Sequence, residues 1–414
     1  MRIALVSHYF WPEPGAPSAR LVEMGREWVA LGHDVTVVTN FPNHPTGIVP
    51  ETYRGRSFQI EEAHGLRILR CRTYATPNHG FAKRTLGHLV FMVESVLQAT
   101  PHLRGTDVIV ASSPTLFAAV SALVISRRLG VPYVIEVRDL WPAIFVDLGV
   151  IRNRLVIALL ERLELFLYRQ ARVVVTVTRA FADDIARRGI DHAKLHVVPN
   201  GVDLAAFQPG PAEEALRARL GLADKLLVLY CGAHGISHAL ARILEVAARL
   251  QQDPRIHFLF VGEGAEKAAL VERARALRLG NVSFREAVPR EDVPALYRAA
   301  DVCLVPLRAV PLFRSFIPSK MFEILACGRP ILASLEGEAA EILAASGAAL
   351  VVPPEDVGAL AAAVTRLAAD PALRAALASR GRAYVAEHFD RRRLASRYLG
   401  ILEAALRHAP GGAL

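Results

Sequence analysis

Short apolar runs recur along the whole 414-residue chain and alternate with stretches whose apolar residues have helical spacing. Such runs are typical of buried parallel strands, because helices cover both faces of a parallel sheet. A chain of this length usually forms two domains. The alternation therefore predicts an α/β protein with two Rossmann-like, doubly wound domains facing a cleft. The main runs are Arg2–Ser7, Asp34–Thr39, Asp107–Ala111, Tyr133–Val137, Val173–Val177, Leu195–Val198, Leu226–Cys231, Phe258–Val261, Phe284–Val288, Val302–Pro306 and Pro330–Ser334.

The stretch SFIPSKMFEILACGRPIL, residues 315–332, has the features of an anion-binding helix start. Pro318 suits the first turn of a helix. The N–H groups of Ser319 and Lys320 would then lie at the positive end of the helix dipole, and the lysine adds a charge. Glu323, one turn further on, can accept two hydrogen bonds from a vicinal diol such as that of a ribose. Diphosphate and ribose together indicate a nucleotide; the alternative is a surface ion pair between Lys320 and Glu323.

The first strand is followed by a loop and a helix, as in a nucleotide-binding βαβ unit. The loop contains Gly15 but lacks the G-x-G-x-x-G pattern, and Asn40 rather than an acidic residue ends the second strand. An NAD site is therefore not expected. Arg138 and Asp139 follow the strand Tyr133–Val137, at the edge where open α/β sheets bind ligands. Asp139 is a candidate site residue, although it could instead cap the following turn.

The chain has a formal net charge of +9, and most of the excess lies in residues 1–190. Such an excess suits nucleic acid, an anionic membrane or an anionic small molecule. No RNP, KH, zinc-finger or basic-helix pattern is present, so no nucleic-acid partner is expected. A helix predicted over Lys83–Thr100 has a broad apolar face, which suits either an anionic membrane surface or a buried position in the domain.

The four cysteines, Cys71, Cys231, Cys303 and Cys327, are far apart and show no C-x-x-C spacing. We interpret them as buried thiols of a reducing compartment. The chain enters a strand directly after Met1, so no signal peptide is expected. No uncharged apolar run reaches the ~18 residues that a membrane span needs. We therefore expect a cytoplasmic protein, and peripheral contact with the inner face of the cytoplasmic membrane is compatible with these features.

The stretch 315–332 resembles the donor-binding signature of family 4 retaining glycosyltransferases, which have the GT-B fold. That signature has two glutamates with seven residues between them. Glu323 matches the second glutamate, whereas Ser315 occupies the position of the first. The departure is similar to that of a branch with a P-S-K-x-x-E pattern, involved in surface polysaccharide and lipopolysaccharide sugar transfer. The entry to the second strand, GHDVTVVT at 32–39, also resembles the family.

The resemblance assigns candidate site residues in both halves of the chain. Relatives have a Gly-Gly turn at Gly15-Ala16 that touches the donor phosphates, although Gly15 could simply relieve a tight turn. Relatives also place an arginine and a lysine at positions 233 and 238 to hold the diphosphate. Here His234 and His238 are either weaker donors or ordinary loop histidines. The implied donor-binding residues are Gly15, Ala16, Gly232, His234, His238, Val288, Pro318, Ser319, Lys320 and Glu323, and the implied catalytic residues are Arg138, Asp139 and Ser315.

The resemblance also implies a domain division and a reaction. PNGVDLAAF at 199–207 is similar to the family's inter-domain passage, so we expect domains at 1–195 and 196–390, with a helix at about 391–409 packing back on the first. Residues 40–80 are expected to form loops that face the acceptor.

The implied reaction moves a sugar, with retained anomeric configuration, from a UDP-sugar to a hydroxyl of a lipid-linked or polysaccharide acceptor. The leaving phosphate would take the acceptor's proton. No D-x-D is present, so neither a cofactor nor a metal is expected. The alternatives are a sugar-nucleotide epimerase or hydrolase of the same fold, and a non-catalytic nucleotide-sugar-binding subunit.

Overall fold

The computed structural model of the protein describes residues 1–13, 15–44, 46–76, 81–113, 115–147 and 149–407. The chain divides into two compact units. The first comprises Met1–Pro199 and the chain from Arg392 on, and the second comprises Asn200–Arg391. The division falls at 199/200 rather than at the expected 195/196, because the strand at 195–197 and the buried Val198 belong to the first unit's sheet and core.

Strands alternate with helices through both units, as the apolar runs predict. The strands are β1 (Arg2–Val6), β2 (Asp34–Asn40), β3 (Phe58–Ala63), β4 (Leu66–Cys71), β5 (Val108–Ser112), β6 (Tyr133–Val137), β7 (Val173–Thr176), β8 (Leu195–Val197), β9 (Leu226–Cys231), β10 (Ile256–Val261), β11 (Val282–Arg285), β12 (Val302–Pro306), β13 (Ile331–Ser334) and β14 (Ala349–Val352). The helices are α1 (Ala16–Ala30), α2 (Phe81–Glu94), α3 (Leu116–Leu129), α4 (Ala143–Asp147), α5 (Arg154–Gln170), α6 (Arg179–Arg187), α7 (Glu214–Arg219), α8 (Leu240–Arg249), α9 (Lys267–Ala276), α10 (Val293–Ala299), α11 (Lys320–Ala326), α12 (Glu338–Ser346), α13 (Val357–Ala369), α14 (Pro371–His388) and α15 (Arg391–Arg407).

The sheet of the first unit has the order β3-β4-β2-β1-β5-β6-β7-β8. Its strands pair in parallel except that β3 runs antiparallel to β4. The β3–β4 hairpin corrects the expectation that residues 40–80 form only loops. β3 lies at the sheet edge and carries Glu61, whose carboxylate pairs with the buried Arg70 of β4 at 2.5 Å. This edge position keeps β3 half exposed, which is why its sequence lacks a continuous apolar run.

The last helix, α15, packs into the core of the first unit. Leu394, Tyr398 and Leu402 are buried in the same cluster as Leu21 and Trp28 of α1. The indole N–H of Trp28 also donates a hydrogen bond to the carbonyl of Ala395 at 3.0 Å. The chain therefore returns to its first unit after completing the second.

The sheet of the second unit is entirely parallel, in the order β11-β10-β9-β12-β13-β14. Two boundaries differ from the expected ones. β11 ends at Arg285, so Val288 lies in the following loop. α11 begins at Lys320 with Ser319 as its N-cap, so Pro318 precedes the helix. The N–H of Met321 donates to the carbonyl of Pro318 at 3.1 Å, which makes Pro318 the start of a turn that leads into α11.

Candidate functional site

Lys320, the first residue of α11, has a buried ammonium group without a compensating partner. Its Nζ lies 3.9 Å from the centroid of the Tyr230 ring at the end of β9. Within the part of the chain that the structure describes, Nζ makes no hydrogen bond. Burial lowers the pKa of Lys320 from 10.5 to about 8. A buried cation is costly when no anion pairs with it directly, and such a group is a candidate for binding an anionic ligand.

Lys320 can pack directly against the chain that follows β9 because residue 232 has no side chain. A Cβ atom on Gly232 would lie only 2.6 Å from the lysine Nζ. The backbone here has a φ of 144°, a conformation that side chains disfavour. Gly262, at the end of the neighbouring strand β10, closes the turn, since a Cβ there would lie 1.9 Å from the carbonyl oxygen of Gly232. The ends of β9 and β10 thus form a glycine-lined recess at Lys320.

His234 and His238 lie in the loop after β9, and both are neutral near pH 7. Burial, with a further contribution from Lys267, lowers the pKa of His234 to about 4. Burial and then the charge of Lys320 lower the pKa of His238 to about 3. The side chain of His238 is 3.4 Å from the carbonyl oxygen of Pro306, whereas neither ring nitrogen of His234 has a hydrogen-bond partner among the described residues. A neutral imidazole has one N–H, and His238 directs its own to Pro306, so of these two histidines His234 is the one that can offer an N–H to a ligand. Neither ring is positively charged near pH 7, whereas the ammonium of Lys320 is.

Glu323 does not pair with Lys320, so the surface ion-pair interpretation is wrong. One carboxylate oxygen of Glu323 accepts a hydrogen bond from the guanidinium of Arg290 at 3.0 Å. The other accepts from the buried hydroxyl of Tyr297 at 3.3 Å. Each carboxylate oxygen has two lone-pair sites, so both oxygens retain the capacity to accept from a ligand hydroxyl.

Two further predicted residues lie in loops of the second unit. Ser315 ends a short 3₁₀ helix, Pro311–Ser315, and its hydroxyl donates to the carbonyl of Leu312 at 2.6 Å. Val288 lines an apolar pocket of about 550 Å³ together with Val261 and Phe284. Gly232, His238 and Lys320 therefore lie close together. Ser315 instead contacts Leu312, and Val288 lines the apolar pocket.

In the first unit, Arg138 and Asp139 lie at the carboxyl end of β6, where the sequence predicts them. The guanidinium of Arg138 donates to the carbonyl of Pro17 in the first turn of α1, at 2.9 Å. This contact brings the end of β6 next to the Gly15-Ala16 start of α1, where Gly15 is the N-cap with a φ of 119°.

The carboxylate of Asp139 makes no hydrogen bond with the described residues, so the alternative that it caps the turn is not supported. Burial raises the pKa of Asp139 to about 6, against the opposing effect of Arg138. A half-buried carboxylate without a donor partner can accept a hydrogen bond from a ligand.

A polar pocket in the first unit was missed by the sequence reasoning. Its lining residues come from segments far apart in the chain and are His8, Tyr9, Asn43, His44, Gly47, Thr73, Tyr74, Thr76, Gly87 and His88. The rings of His8 and His88 lie 4.4 Å apart, centroid to centroid. Burial and these neighbouring histidines hold the pKa of His8 well below its usual value.

Glu13 holds the backbone of two residues that line this pocket, Asn43 and His44. One oxygen of its carboxylate accepts from the backbone N–H groups of Asn43 and His44, at 2.7 and 2.9 Å. Burial raises the pKa of Glu13 to about 7. The sequence signal for this region is the pair His8-Tyr9, which follows β1 after Ser7.

Two Rossmann-like units, each built on a mainly parallel sheet, are the architecture of the GT-B fold. Residues 15–201 match the family model described as "Glycosyl transferase 4-like domain". Residues 212–384 match the model described as "Glycosyl transferases group 1". The chain belongs to the family 4 glycosyltransferases and is an enzyme of that class, as the resemblance implies.

Individual relatives agree with this assignment. The chain is 29% identical over 351 residues to WcaI of Escherichia coli strain K12, which is described as a putative colanic acid biosynthesis glycosyl transferase. The aligned region covers 82% of this chain and 85% of WcaI. Among solved structures, sucrose-phosphate synthase from Thermosynechococcus elongatus superposes with a TM-score of 0.77 at 22% identity, covering 99% of this chain and all of that one. HepE of Anabaena, solved with UDP and glucose, gives a TM-score of 0.75 at 19% identity, covering 98% and 100%. These superpositions confirm the predicted GT-B fold.

Proposed function

We propose that the protein transfers a sugar from a UDP-sugar to a hydroxyl of a lipid-linked or polysaccharide acceptor, with retention of anomeric configuration. The buried, uncompensated ammonium of Lys320 is the observation that carries this proposal. A nucleoside diphosphate would supply the missing counter-charge. Similarity to HepE, whose structures hold UDP and UDP-glucose, supports uridine as the base.

The donor's diphosphate is proposed to occupy the glycine-lined recess at Lys320. As the bond between the anomeric carbon and the diphosphate breaks, negative charge builds on the leaving oxygen, and Lys320 stabilises it. His234, whose ring nitrogens have no hydrogen-bond partner among the described residues, can donate a hydrogen bond from its neutral ring, and Glu323 can accept from the ribose hydroxyls. The acceptor hydroxyl attacks the same face of the sugar, and its proton passes to the leaving diphosphate oxygen.

The pocket of the first unit is proposed to hold the acceptor's sugar. The described residues that line it carry hydroxyl, amide, imidazole and phenol groups and include no Lys, Arg, Asp or Glu. Such a lining can exchange many hydrogen bonds with an uncharged carbohydrate, and its aromatic side chains can pack against a sugar face. Asp139 is proposed to accept a hydrogen bond from a sugar hydroxyl and to favour positive charge at the anomeric carbon.

A role in surface polysaccharide or lipopolysaccharide synthesis is supported by the similarity to WcaI. We propose that the enzyme acts in the cytoplasm. All four cysteines are free thiols, and Cys71, Cys303 and Cys327 are buried, a state that a reducing compartment maintains.

Turnover of a panel of UDP-sugars, with and without a lipid-linked or polyol acceptor, tests the proposal. We expect UDP release that depends on the acceptor, together with an α- or β-linked product whose anomeric configuration matches the donor's by NMR. Equal UDP release without an acceptor would indicate a hydrolase, and a changed sugar on an intact nucleotide would indicate an epimerase. Tight UDP binding with no turnover of any donor would indicate a binding subunit.

A further inference from the structure

Exposed apolar side chains concentrate on two helices of the first unit. Among the described residues, nine of the seventeen large apolar side chains that stand exposed lie on α2, on α5 or directly beside them. They are Leu86, Leu89, Val93, Leu97, Val150, Leu155, Val156, Leu159 and Phe166. No helix within the described ranges is long and apolar enough to cross a bilayer. Clustered exposed apolar side chains mark interaction sites on a protein surface, so these two helices are candidates for such a site.

Helix α5 turns an apolar stripe toward solvent. Leu155, Leu159 and Phe166 are spaced by four and seven residues, so they share one face of the helix. Their exposures are 82%, 67% and 41%. The opposite face is buried at Glu164 and Tyr168, which hydrogen-bond to each other at 2.8 Å. The helix therefore buries Glu164, Leu167 and Tyr168 and leaves an apolar stripe exposed on its other face.

Helix α2 shows a second stripe of the same kind. Leu86, Leu89 and Val93 repeat at three and four residues, and their exposures range from 37% to 50%. The stripe continues through Leu97 in the π-helical turn Ser95–Ala99, while Phe91 faces the core. This arrangement answers the question that the sequence left open for Lys83–Thr100, since one face of the helix is buried and another remains exposed.

The two stripes belong to one layer of the first unit. Both α2 and α5 pack against α3, whose side chains are largely buried. Neighbouring packed helices lie about 10 Å apart, which separates the two stripes by roughly 20 Å. Helix α3 thus lies between the two helices that carry the stripes, and we call the two stripes together the α2–α5 surface.

The charges around the α2–α5 surface are mainly basic. The exposed basic side chains on α2, α3, α5 and residues 149–153 are Lys83, Arg127, Arg128, Arg152, Arg154, Arg162 and Arg169, whereas the exposed acidic ones on these elements and α4 are Asp147 and Glu161. Arg162 and Arg169 fall beside the leucine stripe on α5, seven residues beyond Leu155 and three beyond Phe166. This arrangement suits the surface of an anionic bilayer. The leucines can enter the boundary between the lipid headgroups and the acyl chains, and the neighbouring guanidinium groups can pair with the lipid phosphates.

We propose that the α2–α5 surface docks the enzyme on an anionic lipid bilayer. The docking stands on the exposure and charge of these helices and does not depend on the transfer reaction. The docking also bears on which acceptor the enzyme uses, and this second step rests on the proposed transfer reaction. Gly87 and His88 line the polar pocket within the same helical turn as Leu86 and Leu89, so a docked enzyme would hold its acceptor pocket close to lipid headgroups. This favours a lipid-linked acceptor over a soluble polysaccharide.

Vesicle co-sedimentation tests the docking with the full-length protein. We expect the wild type to sediment with phosphatidylcholine vesicles that contain phosphatidylglycerol, and much less with phosphatidylcholine alone. The double variant Leu155→Ser/Leu159→Ser should partition at least about tenfold less, because each leucine forfeits its apolar burial. Arg162→Gln/Arg169→Gln should weaken binding to the anionic vesicles and reduce its sensitivity to salt. Leu31→Ser and Leu277→Ser, at leucines exposed by 52% and 40%, serve as matched controls and should bind as the wild type does.

Other results would overturn the docking. One is a wild type that stays in the supernatant with every vesicle, and another is a Leu155→Ser/Leu159→Ser variant that binds vesicles normally. A wild-type dimer in light scattering that this variant converts to monomer, without vesicle binding, would assign the surface to a second copy. UDP turnover, measured on the same samples, separates the proposals. Failed docking with intact turnover rejects only the membrane surface, and docking without turnover rejects only the transfer reaction.

Discussion

Replacing Lys320 with methionine should stabilise the unliganded protein even though it damages the donor site. Burial lowers the pKa of Lys320 from 10.5 to about 8. At about 1.36 kcal/mol per pKa unit, keeping this side chain charged in the empty site costs roughly 3 kcal/mol. The contact of Nζ with the Tyr230 ring, 3.9 Å to the centroid, offsets about 1 kcal/mol of that cost. The net gain of about 2 kcal/mol corresponds to a melting temperature raised by roughly 4–8 °C for a unit of this size.

The pH dependence gives this prediction a distinctive signature. The pKa of Lys320 is lower in the folded protein than in the unfolded chain, so the unfolded chain binds more protons between pH 8 and pH 10.5. The free energy of unfolding of the wild type should therefore rise with pH in this window. The cost of the charged lysine is fully present below pH 8. The advantage of Lys320→Met should be constant there and should shrink as the pH approaches 10.

Differential scanning calorimetry of both proteins across this pH range is the assay. Lys225→Met is a suitable control, because Lys225 in the same unit forms only a surface pair with Asp224, at 3.3 Å. Such a pair contributes about 0–1 kcal/mol, so the control should melt close to the wild type. If Lys320→Met melted below the wild type at pH 7, with no convergence at higher pH, the lysine would be stabilised by its surroundings. The reasoning that it awaits an anion would then be refuted.

Three further predictions concern the remaining site residues. Glu323→Gln should raise the Kd for UDP by at least about tenfold, since a charge-assisted hydrogen bond is worth roughly 1.5–3 kcal/mol; unchanged affinity by calorimetry would remove the ribose role. Asp139→Asn should lower kcat at least tenfold, about 1.4 kcal/mol of barrier, with a normal melting temperature. Wild-type activity should rise as the pH passes through about 6, where Asp139 ionises, and this limb should vanish in the variant; full kcat in the variant would exclude Asp139 from the site. Because the chain lacks D-x-D and Lys320 supplies charge, EDTA should leave UDP affinity unchanged; a loss that Mg²⁺ or Mn²⁺ restored would contradict this.

The elements that the sequence predicts well are those whose signal is local. Buried strands such as β9 are continuous apolar runs, and the turn from Ser319 into α11 is marked by Pro318 and Lys320. The β3–β4 hairpin was missed because an edge strand with Glu61 and Glu62 mixes charged and apolar residues. A propensity argument expects loops there, whereas pairing with β4 makes the strand.

Contacts between residues that are far apart in the chain could not be predicted from the sequence. Glu323 pairs with Arg290, 33 positions away, and no periodicity signals that partner. The pocket around His8 and His88 is assembled from four separate chain segments. The outward stripe of α5 is a different kind of case. Spacing shows that Leu155 and Leu159 share a helix face, but only the packing of Glu164 shows that this face is turned to solvent.

Isothermal titration calorimetry of UDP and of uridine against the wild type and Lys320→Met tests whether Lys320 binds the donor's diphosphate. Uridine lacks the diphosphate but keeps the base and the ribose, so the comparison isolates the contact with Lys320. We expect Lys320→Met to lose roughly tenfold to a hundredfold in affinity for UDP, about 1.5–3 kcal/mol, while its affinity for uridine is unchanged. Equal losses for both ligands, or no loss for UDP, would contradict the claim that the recess at Lys320 binds the donor's diphosphate.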